Sequence, residues 1–557
     1  MSEPNPPSPA PAAAAAAERP AGRSGAVMVA AGILASRLIG FVRDRAIAHF
    51  FGVGPHADVW RAALRAPNAL QNLLGEGTLS AAFIPIYSRL LKEGREEEAG
   101  RFAGAVFGLL TAAAGALALL GVLLARPIVA LLALGFTFDQ GGVDRYELTV
   151  AAVRIIFPMT AVLVLSAWAL GVLNSHRRFF LPYFAPVLWN VAIIAALYWQ
   201  AVSLATLDRL LFAACWGALL GGCLQLLVQL PLVLKLMRGF RPSLSTRVTG
   251  VREALRAVGP VIAGRGVVQL SGYLDVFLAA FLAPGAVGVL GYAQSFYMLP
   301  VSLFGMSVAA AELPELSRLR EAGSGGATRD LLARVRRSLR QMAFLNVPTF
   351  VGYLAFGFLL VGALYRTGQF EVTDNWLAYL VLCGYTLGLL ASTSSRLLQN
   401  TFYALGDTRT PAWIATLRVA VSAALGWPLM VWLDRYAVSD LVRTPGLGRT
   451  LFLGAMGLSL ASGIGAWLEF LMLRRSLARA VPDPFFPSRE VGRMLLLAGA
   501  AALLGGLVWA VLPPVHVAVR ALLVVGAYAA AYLLLARWLA AEELGFWLGR
   551  FGRRLRR

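Results

Sequence analysis

The sequence predicts an all-α polytopic membrane protein of about 14 transmembrane helices, arranged as two six-helix lobes followed by two C-terminal helices. Three observations carry that prediction. Of 557 residues, 58% are hydrophobic and only 14% charged, and the mean hydropathy is +0.69, far from a soluble domain. Apolar runs of about 20 residues, the length that crosses a hydrocarbon core, recur along the chain. The basic residues behind the net charge of +21 concentrate in alternate loops, so the charge reports membrane topology and not nucleic-acid binding.

Residues 1–25 are Pro/Ala-rich and are expected to form a disordered cytoplasmic tail. The apolar segment after them is interrupted by Arg37 and Arg43 and has no convincing cleavage site, so it reads as a retained first helix and not a signal peptide. Spans are expected near 26–47, 59–88, 102–134, 147–172, 180–201, 207–234, 254–283, 287–316, 341–365, 375–402, 411–433, 450–472, 491–512 and 516–539. Loops after even-numbered spans are rich in base, as in Arg89, Lys92, Arg95 and Arg101 or in Arg334, Arg336, Arg337 and Arg340. Loops after odd-numbered spans are poor in it, apart from Arg435, Arg443 and Arg449, which puts both termini in the cytoplasm.

The chain also repeats. FIPIYSRL at the end of the second span matches ELPELSRL at the end of the eighth, aligning Pro85 with Pro314 and Ser88-Arg89 with Ser317-Arg318. The same offset carries Pro182 onto Pro411. Two six-helix lobes of parallel topology follow, over 26–236 and 237–473, the arrangement in which bundles rock about a central cavity. Helices thirteen and fourteen, within 474–539, fall outside the repeat, and 540–557 is a basic cytoplasmic tail.

Charges inside the spans point to function. On the second span Asp58, Arg61, Arg65, Asn68 and Asn72 recur every three or four residues and lead to Gly75 and Glu76, a spacing that stacks them on one helical face. Each charge turned to lipid costs about 2.5 kcal/mol or more, so the stripe must face protein or a water-filled cavity. Pro67 is expected to kink this helix. On the first span Ser36, Gly40 and Arg43 share a face, with Arg37 and Asp44 on an adjoining one. The bland alternative is an Arg37–Asp44 ion pair that only locks two helices. The second half carries Arg265, Asp275, Glu312, Arg396 and Arg418. Arg265 and Asp275 are about 15 Å apart along one helix, so Asp275 needs another partner: an arginine of a neighbouring helix, or a transported cation or proton.

Several classes are disfavoured. No Gly-x-x-x-x-Gly-Lys-Ser/Thr loop is present, so the chain does not itself hydrolyse nucleotide to drive work. Four scattered histidines, His49, His56, His176 and His516, form no nucleophile–base–acid cluster, and the chain reads as a transporter and not an enzyme. Cys215, Cys223 and Cys383 lack metal or disulfide spacing.

The residues resemble the MurJ (MviN) family of lipid II flippases, within the multidrug/oligosaccharidyl-lipid/polysaccharide exporter superfamily. The matching motifs are SRxxGFxRD at Ser36–Asp44, FGxGxxAD at Phe51–Asp58, Arg65 with Pro67-Asn68, EGxxSxAFIPI at Glu76–Ile86, LNSxxRF at Leu173–Phe179 and ALGDTRTP at Ala404–Pro411. The resemblance covers the chain after residue 25 and implies six plus six plus two helices around a cationic cavity. It implies that the undecaprenyl-diphosphate-linked precursor is moved from the inner to the outer leaflet of the bacterial inner membrane. Arginine's planar fork suits such a diphosphate. By motif match, Arg37 and Arg43 would meet the diphosphate, Asp58, Arg65 and Glu76 would line the cavity or its gate, with Ser36 and Asn68 beside them, and helices thirteen and fourteen would hold the prenyl tail. Asp275 would bind a coupling ion, sodium or a proton, or respond to membrane potential; no other cofactor is implied. Partners would be lipid II, the bilayer and the cell-wall synthesis machinery.

The sequence departs from the pattern where Gln71 and Asn72 replace an arginine pair and Ser295 another arginine. Arg61 and Arg265 would substitute if they point inward. Otherwise the chain is a diverged paralogue exporting another polyprenyl-linked or amphiphilic substrate, a drug or polysaccharide exporter, or a non-transporting scaffold for envelope synthesis.

Overall fold

The computed structural model describes residues 23–75, 79, 82–138, 142–306, 327–442, 448–480, 486–539 and 542–545, without the side chains of 23–27, 30, 260–272, 306, 327–330, 480 and 539. Helix stands at all the expected spans: α1 (Arg23–Phe51), α2 (Pro55–Leu74, continued by Ile84–Lys92), α3 (Glu96–Leu123), α4 (Arg145–Ser175), α5 (Pro186–Ala201), α6 (Leu207–Leu236) and α7 (Val251–Ala279). Then come α8 (Ala286–Pro300), α9 (Ala327–Tyr365), α10 (Val372–Leu387 and Leu389–Ala404), α11 (Arg409–Leu433), α12 (Gly454–Ala480), α13 (Ser488–Val511) and α14 (Val517–Leu539). Among the described residues no strand forms beyond an isolated Ala437–Phe452 bridge.

Among the described residues 10 helices are each long and apolar enough to cross a bilayer, and the two parts of α10, bent by 40°, make up to 11. α2 is not among them, because Asp58, Arg61 and Arg65 interrupt its apolar run.

The chain divides into two compact units. The first comprises residues 1–46, 62–132 and 144–270; the second comprises 47–61, 133–143 and 271–557. The lobe boundary expected at residue 237 falls inside the first unit for a local reason. Residues 238–243 lie along a stripe of glycines on α3, where a Cβ at Gly100, Gly104 or Gly108 would collide with the carbonyl oxygens of Arg238, Arg241 and Ser243. The Ser243 amide donates to the Gly104 carbonyl at 3.3 Å. The first unit's core is aromatic around Phe83, Tyr87, Phe102 and Trp168, all 1% exposed or less.

In the second unit α9 packs with α13 and α14 around Phe344, Phe356, Tyr528 and Tyr532. Pro348 lacks the N–H that would bond the Phe344 carbonyl, an expensive loss in a membrane helix. The Tyr532 hydroxyl replaces it, donating to that carbonyl at 2.9 Å, while Tyr528 donates to the Pro348 carbonyl at 2.6 Å. At the α10 break, the freed Leu387 carbonyl accepts from Trp467 Nε1 at 2.7 Å. α2 runs helical through Pro67.

Candidate functional site

In the first unit α1 presents Ser36, Arg37 and Arg43, all half-buried. Arg43 is held on three sides. Its Nε and Nη2 donate to Asp44 Oδ1 at 3.2 and 2.8 Å, its Nη1 donates to Asn190 Oδ1 at 3.0 Å, and its guanidinium lies 5.1 Å from the centre of the Trp189 ring. Asn190 is itself fixed, donating from Nδ2 to the Pro186 carbonyl at 3.0 Å. Asp44 therefore pairs with Arg43; the Arg37–Asp44 lock is not the pairing seen for it. Asn190 and Trp189, in the apolar α5, escape a reading keyed to charge.

Arg65 and Asn68 of α2 are half-buried, Gln71 likewise, and Asn72 is exposed, whereas Ala62, Ala63 and Leu64 on the opposite side are buried. An outward polar stripe with its apolar side packed into protein is the reverse of a lipid-facing helix, so this face of the first unit needs water or a polar ligand. Glu76 lies outside the described residues, as does the side chain of Arg265; Glu312 also lies outside them.

The second unit holds the start of α2, and there the stripe changes character. Asp58 is fully buried, and its two oxygens accept the backbone N–H groups of Gly285 and Gly288, both at 2.7 Å. α8 begins at Gly285, which has φ +105° and no side chain to cap the helix. Asp58 supplies the missing cap and places a negative charge at the helix's positive end. In this structure Asp58 fastens α2 to α8. Arg61 lies 5.4 Å from the Tyr292 ring centre, against α8. The α1–α2 turn is further fixed where the Val53 amide donates to Asp374 Oδ2 at 3.1 Å and the Tyr292 hydroxyl donates to the Gly52 carbonyl at 3.1 Å. This accounts for the FGxGxxAD text, since Gly52 has φ +55° and Gln369 O approaches to 2.5 Å of any Cβ there.

Ser295, standing where an arginine was expected, folds back onto its own helix and donates to the Gly291 carbonyl at 3.1 Å. Asp275 lines a small cavity with Ser422 of α11 and Ser462 of α12. Near it Arg418 Nη1 meets Glu469 Oε2 at 2.6 Å, and Gln399 Nε2 donates to Glu469 Oε1 at 2.6 Å. Glu469 was readable as a lone acid in the apolar run AWLEFLML, although its partners were not. At the loop between α10 and α11, Asp407 Oδ1 accepts the Arg409 and Thr410 amides, each at 3.0 Å, and hydrogen bonding from Thr410 holds its carboxyl below the usual range.

A family model described as lipid II flippase MurJ matches residues 47–528. This chain belongs to the MurJ family. Among its curated relatives, the lipid II flippase MurJ of Burkholderia cenocepacia is 31% identical over 84% of this chain and 87% of its own. The probable lipid II flippase MurJ of Haemophilus influenzae is 29% identical over 87% and 91%. A solved MurJ flippase in an inward closed conformation superposes with a TM-score of 0.71 at 21% identity, covering 95% of this chain and all of that one, which shows a shared fold. The MurJ assignment fits a multi-span, non-enzymatic membrane transporter.

Proposed function

We propose that the chain flips lipid II, the undecaprenyl-diphosphate-linked peptidoglycan precursor, from the inner to the outer leaflet of the bacterial inner membrane by alternating access, with both termini in the cytoplasm. Membership of the MurJ family supports the activity, and the Arg43 seat is the observation that supports the site. A guanidinium has five N–H donors, and the bonds to Asp44 and Asn190 use three. One remains on each terminal nitrogen, the end-on pair that matches two phosphate oxygens. Asp44 neutralises Arg43 until a diphosphate competes for it, so the bare site avoids an unpaired charge in the bilayer. Arg37, Arg65, Asn68 and Ser36 would add contacts from the same unit, in place of the arginines absent at Gln71, Asn72 and Ser295. Contacts with cell-wall synthesis enzymes would deliver and consume the lipid, and α13 and α14 would shelter its tail.

The test is complementation of a flippase-depleted bacterium, scoring survival and exposure of lipid II at the outer face. Wild type should rescue, and Arg37→Ala/Arg43→Ala at equal abundance should not. Rescue by the double variant would remove the diphosphate site. Failure of a well-expressed wild type would redirect the search to another polyprenyl-linked substrate or a scaffold role.

A further inference from the structure

We propose that Asn190 of α5 is a positioning residue for Arg43, aiming its guanidinium at the diphosphate without neutralising it, a role that rests on the diphosphate reading of Arg43 given above. Both contacts that reach Arg43 from α5 are uncharged: Asn190 Oδ1 accepts from Nη1 at 3.0 Å, and the Trp189 ring centre lies 5.1 Å from the guanidinium. Asp44 already balances the charge of Arg43. A second carboxylate in place of the amide would leave the group net negative, and a net negative group repels a diphosphate. An amide takes up one N–H and leaves that balance unchanged.

The amide cannot be turned round. Its Nδ2 donates to the Pro186 carbonyl at 3.0 Å, one turn back along α5, while its Oδ1 faces the guanidinium. A flipped amide would set oxygen against oxygen at Pro186 and N–H against N–H at Arg43, so the two bonds together fix the direction of the acceptor. Trp189 is braced as well, its Nε1 donating to Met159 Sδ of α4 at 3.1 Å. α5 itself lies close against α6 at this level: a Cβ at Gly221 would come within 2.8 Å of Trp189 Cα, and one at Gly217 within 3.0 Å of Ile193 Cα. Asn190 is 4% exposed and the Arg43 side chain 16%, so the anchor is shut away from water while the guanidinium keeps some open surface. A donor pair held in this way is oriented before the phosphate arrives, and less freedom is lost on binding.

The test is calorimetric titration of the purified full chain with undecaprenyl diphosphate at about pH 8, where carboxyls are ionised, with the melting temperature measured beside it. Asn190→Asp keeps the size of the side chain and an acceptor oxygen. It should bind at least about tenfold more weakly than wild type. It should melt close to wild type, because the added carboxylate gains Arg43 as it loses Pro186. Asn190→Asp/Asp44→Asn moves the counter-charge from α1 to α5 and should regain about threefold or more of the affinity. Asn190→Ala, which leaves the guanidinium free to turn, should bind about threefold or more weaker than wild type and serves if the aspartate variants do not fold. A merely structural role would make affinity follow melting temperature through the series. Wild-type affinity in Asn190→Asp or in Asn190→Ala would overturn the role, as would a charge-shifted double variant no better than Asn190→Asp. Absence of binding by wild type would remove the diphosphate site itself and this role with it.

Discussion

Arg43 and Arg418 are both arginines on membrane helices, each neutralised by one carboxylate and each served by one side-chain amide. They differ in where the counter-ion comes from. Asp44 is the next residue along α1, so the Arg43 ion pair itself joins no second helix, and α5 is held only through the neutral Asn190 and Trp189. Glu469 belongs to a different helix from Arg418, and Gln399 adds a third, so that pair fastens α10, α11 and α12. A locally neutralised arginine can exchange its carboxylate for a ligand without dismantling tertiary structure. A cross-helix pair cannot, which makes the first arrangement suited to binding and the second to holding.

The largest effect expected from this contrast is on stability at Glu469. Removing one member of a buried pair leaves the other uncompensated, at a cost of about 3–5 kcal/mol. Arg418 is 26% exposed, so Glu469→Ala should fall near the lower end, about 3 kcal/mol. Arg418→Met/Glu469→Leu should recover most of that loss in a thermal-unfolding series. Equal instability of the single and double variants would show that the pair is not the source of the cost. Arg43→Ala should lose transport and also melt lower, because the buried Asp44 is left without its partner, whereas Arg43→Ala/Asp44→Asn should recover melting but not transport. Arg43→Lys should stay inactive, because an ammonium lacks the fork that grips Asp44, Asn190 and a phosphate together. An active lysine variant would reduce Arg43 to a simple point charge.

A smaller effect is expected at Asp58, where the second unit uses a carboxylate to cap a helix. Asp58→Ala deprives α8 of its two cap bonds and should cost about 1–2 kcal/mol. Hydrogen exchange at the Gly285 and Gly288 amides would report it directly; unchanged protection there would show that the cap is dispensable.

These sites also mark how far the sequence could be read. Span positions followed from apolar length and loop charge, both of which are local sums along the chain. The Arg43–Asp44 pair was missed because neighbours one apart do not normally face each other on a helix. Here Asn190 and Trp189 turn the long arginine side chain back, and they come from α5. The Asp58 cap spans 227 residues to Gly285 and was invisible to periodicity, which placed Asp58 on a functional stripe. Motif matching gave the right residues in FGxGxxAD but not their work, since that text builds a turn clamped by Tyr292 and Asp374.

The smallest effect is expected at Asp407, and it separates burial from hydrogen bonding in the same capping chemistry. Like Asp58, Asp407 accepts two backbone amides at a helix start, here that of α11. Unlike Asp58, it is only half-buried, so water competes for the same bonds and its contribution should be under about 1 kcal/mol. Its carboxyl is held below the usual range, chiefly by hydrogen bonding from Thr410. A depressed carboxyl favours the fold above its unfolded pKa of about 3.9 and loses that benefit as pH falls through the lower folded value. Wild type should therefore lose slightly more melting temperature than Asp407→Asn between about pH 5 and pH 3. The two curves should converge at the acid end, where the carboxylate is protonated. Parallel curves would mean that the cap works through its geometry alone. In that case the larger cost at Asp58 would be assigned to burying the cap and not to the charge it carries.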